Sequence, residues 1–365
     1  MDPVRIGIVG CGSVMTAYMQ LIEVLEREGQ ARVTMACDTR EDRGAFMSEN
    51  YGVQSFTTRY QDLVTSDDVD LVMVLTAMPV HGEITKAALE AGKHVLVEKP
   101  MSVDLEEGAA LVELARQSSG HLLPAPHVVL SETYRTFWKL IADGEIGRVV
   151  NARARYGWSG PAWGPWFYGA GGGSLFDLGV YNVTTLTGLL GPAKRVSAMM
   201  GVAIPEREVE GQRVKVEAED NAHLLVDFGD EVYAVITTGF TMQRSRGPSI
   251  ELYGTEGTLQ MLGYDWGPEG YELWKNEVGA WQVYASPDRK WPWTDGLRHL
   301  VTCIREGTSP IITPEHGYHV LEIMTRAKES ARDGVRRELQ STFTPPQFDA
   351  AGKAIAPHLI HDPTR

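Results

Sequence analysis

The sequence predicts an α/β fold: a Rossmann domain with a doubly wound parallel sheet over residues 1–125, followed over 126–345 by an α+β domain with a large, open, mostly antiparallel sheet. Three observations carry this. From residue 4 to about 125, short uncharged β-branched runs alternate with longer stretches of helical periodicity, as strand-helix-strand units require. A glycine-rich turn follows the first of these runs directly. From Val196 to about Tyr284 the pattern becomes a series of strands separated by turn signals.

The predicted parallel strands are Val4 to Val9, Val33 to Cys37, Leu71 to Leu75, His94 to Val97 and Leu122 to Ala125. Helices between them include Pro79 to Ala91, stopped by Gly92, and Asp104 to Ser118, with Gly120 behind it. After Pro124-Ala125-Pro126 a helix over about Glu132 to Asp143 leads through Gly144 and Gly147 to a strand, Val149 to Tyr156. A loop dense in Trp, Gly and Pro runs from Trp158 to Gly173, and a second helix follows. The turns Phe228-Gly229-Asp230 and Gly254-Thr255-Glu256-Gly257 punctuate the antiparallel sheet. Helices near Thr294 to Glu306 and Pro314 to Asp333 are expected to close the second domain, and a loosely packed tail occupies 346–365.

A net charge of −14, spread along the chain, excludes electrostatic attraction to nucleic acid or to an anionic membrane surface. The expected partners are a small-molecule substrate and further copies of the chain. Cys11, Cys37 and Cys303 form neither a disulfide framework nor a metal site, and no metal is expected. The N-terminus enters a strand within a few residues, without room for a leader, and no apolar run approaches the ~20 residues of a membrane span. A cytoplasmic location is expected.

Directly after the first strand stands Gly10-Cys11-Gly12-Ser13-Val14-Met15, and a helix begins there. The first glycine permits the tight turn, and the second lets a pyrophosphate approach the backbone at the helix N-terminus, beside Ser13 and Val14. Met15 takes the third small position of the fingerprint. Asp38, at the end of the second strand, would accept hydrogen bonds from the adenosine ribose and repel a 2′-phosphate, which favours NAD. Arg40 and Arg43 keep NADP open, as either phosphate partners or solvated cations.

The segments Thr76-Ala77-Met78-Pro79-Val80-His81 and Ala88-Leu89-Glu90-Ala91-Gly92-Lys93-His94-Val95-Leu96-Val97-Glu98-Lys99-Pro100 resemble the Gfo/Idh/MocA family of sugar and inositol oxidoreductases. With Gly171-Gly172-Gly173-Ser174-Leu175-Phe176-Asp177-Leu178-Gly179-Val180-Tyr181, the resemblance spans residue 4 to about 335. It implies that the Glu98-Lys99-Pro100 motif lies under the nicotinamide, that Lys99 reaches the reacting oxygen, and that the bond before Pro100 is cis. Thr76, His81, Glu98 and Lys99 are accordingly counted with the cofactor site, although His81 also suits a packing or capping role. It also implies a homodimer or homotetramer, because open sheets in the family commonly pair face to face.

Oxidising a secondary alcohol requires a group that holds the oxygen and takes its proton, and a lysine in a dry pocket suits this. Asp177 and Tyr181, four apart at the start of a predicted helix, project from one face. Most of the family has His where this chain has Tyr181. The tyrosine matches a branch resembling glucose-fructose oxidoreductase, xylose dehydrogenase and dimeric dihydrodiol dehydrogenase, and the resemblance implies an acid/base role. Lys99 and Tyr181 are therefore expected as the proton-handling pair, with Asp177 holding a sugar hydroxyl, orienting the lysine or capping its helix.

His127 stands where the family often has polar substrate contacts, and is either a substitute for them or a structural histidine. Trp158, Trp163 and Trp166, with Phe167 and Tyr168, either stack on a pyranose or aglycone ring or pack the loop on itself. The expected function is an NAD(P)-dependent dehydrogenase of a sugar, glycoside or polyol. Alternatives are a dihydrodiol dehydrogenase, a glycoside-processing enzyme that oxidises and re-reduces its substrate on a retained cofactor, and a sugar sensor without turnover, against which the retained Lys99 and Tyr181 argue.

Overall fold

The computed structural model describes residues 2–286, 290–349 and 354–355. These fall into two compact units, one drawn from Met1–His127 and Thr294–Tyr318, the other from Val128–Trp293 and the described residues from His319 onward.

The first unit opens with β1 (Val4–Val9), whose side chains are almost all buried, and α1 (Ser13–Arg27). Then come β2 (Ala31–Cys37), α2 (Asp42–Tyr51), β3 (Phe56–Thr57), α3 (Tyr60–Val64), β4 (Leu71–Val74), α4 (His81–Glu90), β5 (His94–Val97), α5 (Leu105–Gln117) and β6 (Leu122–Pro124). The six strands are parallel in the order β3-β2-β1-β4-β5-β6. Their near-continuous apolar runs suit a sheet covered on both faces. The order reverses at β1 and β4, where open α/β sheets bind ligands at their carboxyl ends. The two-residue β3 has too short an apolar run to be read from sequence.

In the second unit α6 (Glu132–Ala142) starts at Ser131, whose hydroxyl accepts from the Tyr134 N–H at 3.2 Å. Next come β7 (Val149–Gly157), a π-helical turn over Leu175–Gly179 and α7 (Val180–Leu190). The remaining strands are β8 (Arg195–Gly201), β9 (Glu206–Val209), β10 (Gln212–Lys215), β11 (Asn221–Gly229), β12 (Val232–Gly239), β13 (Ile250–Gly254), β14 (Gly257–Tyr264), β15 (Gly267–Lys275) and β16 (Trp281–Ala285). A nine-stranded sheet runs β16-β15-β14-β13-β7-β12-β11-β8-β17, the last strand being Arg337–Glu338. Every neighbouring pair is antiparallel except β7 and β12. Along β11 and β12 buried and exposed residues alternate, and the open face carries Met199 (80% exposed), Leu225 (52%) and Tyr233 (47%).

Three expectations are corrected here. The helix α8 (Gly296–Glu306), expected in the second domain, packs in the first unit on α1 and β1, burying Leu297, Leu300 and Val301. Its Arg298 pairs with Glu28 at 3.1 Å, and Arg305 donates to the Asp2 carbonyl. The boundary itself falls after His127 rather than after Ala125. The helix Pro314–Asp333 follows α8. The part of the 346–365 tail that is described is not loose, since Phe348 is 4% exposed, with its ring against Tyr134 and Trp138. Residues 350–353 and 356–365 lie outside the described residues.

Candidate active site

In the first unit the sequence-predicted cofactor residues gather at the carboxyl ends of the strands. Gly10 has φ +99°, and a Cβ there would stand 2.6 Å from the Leu75 carbonyl oxygen, so only glycine fits the turn. Gly12 differs: a Cβ on it would meet no protein atom within 4 Å. It is the N-cap of α1, without a side-chain cap and without an acidic residue in the first turn. A fifteen-residue helix thus presents unpaired N–H donors to open space, a setting that suits a diphosphate. Ser13 and Val14 stand exposed there, while Met15 is fully buried beneath.

Asp38 accepts from the Cys11 N–H at 2.8 Å and from the Arg40 N–H at 3.0 Å. Its carboxylate is thereby fixed beside the glycine turn, with acceptor capacity left on both oxygens. The Arg40 guanidinium is engaged with Asp42 and Arg43 lies over the Phe46 ring, so both cations have partners other than a phosphate. Burial, reinforced by Asp38, pushes the Cys11 thiol up to about 12, which leaves it inert. At the end of β4, Thr76 has a buried hydroxyl with no hydrogen-bond partner. An orphaned polar atom on this edge is a second feature that fits a bound dinucleotide.

Lys99 follows β5 and is held by its neighbours. Glu98, 6% exposed, accepts from the Tyr18 hydroxyl at 2.8 Å and from the Lys99 backbone N–H at 3.1 Å. The Lys99–Pro100 bond is cis, as is Ala125–Pro126. The two ring nitrogens of His81 face the Pro100 carbonyl at 2.8 Å and the Thr76 carbonyl at 3.0 Å, and burial pulls its pKa down. The ring thus braces the ends of β4 and β5 against each other. Sequence reasoning missed Tyr18, because nothing local links a helix tyrosine to a carboxylate eighty positions away. His127 is 1% exposed, with its ring where a side chain on Gly296 would stand.

In the second unit Asp177 lies in the π-helical turn and Tyr181 in the first turn of α7. The sequence pattern predicts an ordinary helix here, and the structure replaces its start by the wider turn, a feature frequent at functional sites. This turn is anchored by residues the sequence did not reveal. Glu219 accepts from the Leu175 N–H at 3.1 Å and occupies the space a side chain on Gly173 would need. Lys328 pairs with Glu219 at 3.5 Å and sits 3.5 Å above the Phe176 ring, with burial lowering its pKa.

The aromatic loop is largely packed on itself. Tyr168 is buried in a cluster with Leu178, Val209, Val216 and Phe240, and Trp158 and Phe167 lean on that cluster. Trp158 and Trp163 lie 5.6 Å apart, and Trp166 stacks on Phe167 at 3.7 Å. Trp163 and Trp166 keep 49% and 39% of their surface exposed. Arg207 on β9 fastens the loop, donating to the Ser159 carbonyl at 2.6 Å and pairing with the fully buried Asp220 at 3.0 Å.

Behind Tyr181, Asp265 is 1% exposed and accepts from Asn182 at 2.9 Å and Thr185 at 3.2 Å, both on α7. Burial pushes its carboxyl up from 3.8 to about 6 against those donors. The folded state therefore binds this proton more tightly than the unfolded chain does. The resulting stability is full below about pH 4 and lost as pH rises through about 6, on the order of 3 kcal/mol in all. Asp265→Asn cannot titrate. Denaturant unfolding at pH 4.5 and 7.5 should show wild type losing stability relative to the variant at the higher pH; a gap independent of pH refutes the assignment.

The chain's matches settle its family. Residues 4–124 match the model described as an oxidoreductase family with an NAD-binding Rossmann fold, and residues 134–260 match the GFO/IDH/MocA C-terminal domain. The 1,5-anhydro-D-fructose reductase of Ensifer adhaerens is 31% identical over 70% of this chain and 74% of its own length. The chain belongs to the GFO/IDH/MocA family. Another relative of this GFO/IDH/MocA oxidoreductase is the scyllo-inositol 2-dehydrogenase (NADP(+)) IolW of Bacillus subtilis, strain 168, 26% identical over 91% of this chain and 95% of that protein. Levoglucosan dehydrogenase, solved with NADH and levoglucosan, shares the fold with a TM-score of 0.82 at 19% identity, covering 93% of this chain and all of the other. Among the described residues no cluster of His, Cys, Asp and Glu suits a metal, and no helix is long and apolar enough to cross a membrane.

Proposed function

We propose that this oxidoreductase interconverts a secondary hydroxyl and the corresponding ketone on a sugar, glycoside or polyol, with NAD preferred over NADP. One observation carries the reading: a lysine at the end of β5, braced by Glu98, Tyr18 and His81, on the same sheet edge as a helix N-terminus open to a diphosphate. The relatives act on sugars and inositols by name, which supports the substrate class. The cofactor preference is supported by the fixed Asp38 carboxylate and by the engagement of Arg40 with Asp42.

Gly10, Gly12, Asp38 and Thr76 would hold the dinucleotide, which when bound supplies the hydride acceptor or donor. In this reading Lys99 holds the substrate oxygen through its Nζ, and Tyr181, as its phenolate, takes the proton as the alcohol is oxidised and becomes the neutral phenol. Asp177 accepts from a neighbouring sugar hydroxyl and so fixes which carbon reacts. The exposed Met199, Leu225 and Tyr233 of the open sheet face support self-association into a dimer or tetramer.

The test is absorbance of the reduced nicotinamide with NAD or NADP against monosaccharides, inositols and aryl glycosides. Turnover of at least one ring polyol, faster with NAD, is the expected result. Dinucleotide binding with silence across the panel overturns the substrate reading, and a monomer in sedimentation velocity overturns self-association.

A further inference from the structure

We propose that the turn Tyr264-Asp265-Trp266, between β14 and β15, is a ring-binding platform beside Tyr181 that selects cyclic sugars and polyols by stacking on their C–H faces. This deepens the reading under Proposed function and rests on it. The Tyr264 and Trp266 rings stack on each other, 5.5 Å apart and 9° from parallel. Tyr156 on β7 joins them to Tyr181, with ring centres 5.1 Å from Tyr264, 6.2 Å from Trp266 and 6.0 Å from Tyr181. Of these three rings Tyr156 is the one that meets the Tyr181 ring, and the stacked pair is linked to Tyr181 through it. Tyr264 keeps 44% of its surface exposed.

The turn is also held in place from within. Asp265 is buried between the exposed Tyr264 and the half-buried Trp266, and it is tied to Asn182 and Thr185, one and four residues after Tyr181. A carboxylate at 1% exposure is a costly way to end a surface hairpin, and glycines or prolines alone would close it. What Asp265 adds is a fixed distance between the aromatic pair and the first turn of α7. A preorganised flat apolar surface recognises a ligand with a flat apolar face and polar edges, which a pyranose or inositol ring has and an open-chain polyol lacks.

The test is ligand-observed NMR on the whole chain in the presence of NADH, with methyl β-D-glucopyranoside, myo-inositol and open-chain sorbitol as probes. Wild type, Tyr264→Ala and Trp266→Leu are compared. Saturation should pass to the axial C–H protons of a ring probe in wild type, and its affinity should fall about tenfold in each variant, the equivalent of ~1.4 kcal/mol of stacking. NADH affinity should be the same in all three proteins. Ring binding that survives both variants, or equal weakening of sorbitol and ring probes, overturns the inference alone. NADH binding without affinity for any probe overturns the substrate reading and this inference together.

Discussion

Lys99→Ala is expected to lower kcat by roughly 10²- to 10⁴-fold, the range of a positioned proton-handling group, while NADH affinity changes little. The variant removes only the side chain beyond Cβ. The backbone N–H of residue 99 still donates to Glu98, and Tyr18 and His81 still brace the strand end, so the fold at β5 persists. Tyr181→Phe should cause a loss of similar size. If the two side chains act as one unit, the double variant falls no further than the worse single one. Steady-state kinetics with the substrate found in the panel, beside NADH titration, check this. Retention of activity within a few-fold in either variant would remove that residue from the chemistry.

The second large effect separates two glycines that look equivalent in the sequence. Gly10→Ala places a methyl group 2.6 Å from the Leu75 carbonyl oxygen and 2.9 Å from the Thr76 nitrogen, at φ +99°. Those atoms belong to the backbone at the end of β4 and cannot swing aside. A loss of about 2–5 kcal/mol in stability is expected, visible in denaturant unfolding without any nucleotide. Gly12→Ala meets no protein atom, so its stability should match wild type, while its methyl group intrudes where a pyrophosphate would approach α1 and weakens dinucleotide binding. Similar stability losses in both variants would contradict these roles.

What the sequence reveals is what local pattern can encode. β1 and β5 have their predicted limits, because an uncharged β-branched run beside a glycine turn or a charged motif leaves no other register. The hairpin of β9 and β10, Glu206-Arg207-Glu208-Val209 and Gln212-Arg213-Val214-Lys215, is too polar to be read as strand. The π-helical turn is hidden because Leu175, Phe176 and Leu178 satisfy any helical periodicity. Site residues that act through their own backbone neighbourhood, such as Gly10 and Asp38, are legible. Those that act across the fold are not: Tyr18 toward Glu98, Glu219 and Lys328 toward the Asp177 turn, Asp265 toward α7. Asp265 sits between Gly263 and Gly267 and looks like an ordinary turn residue; only its burial reveals an anchor.

The return of α8 to the first unit has a consequence for synthesis. When residues up to His127 have left the ribosome, α1 and β1 still lack the helix that covers them, and Leu297, Leu300 and Val301 do not yet exist. All of 128–293 must be made before that surface is closed. The nucleotide-binding half, although encoded first, is completed late, and a fragment cut at residue 127 would carry an uncovered apolar flank from the moment of release.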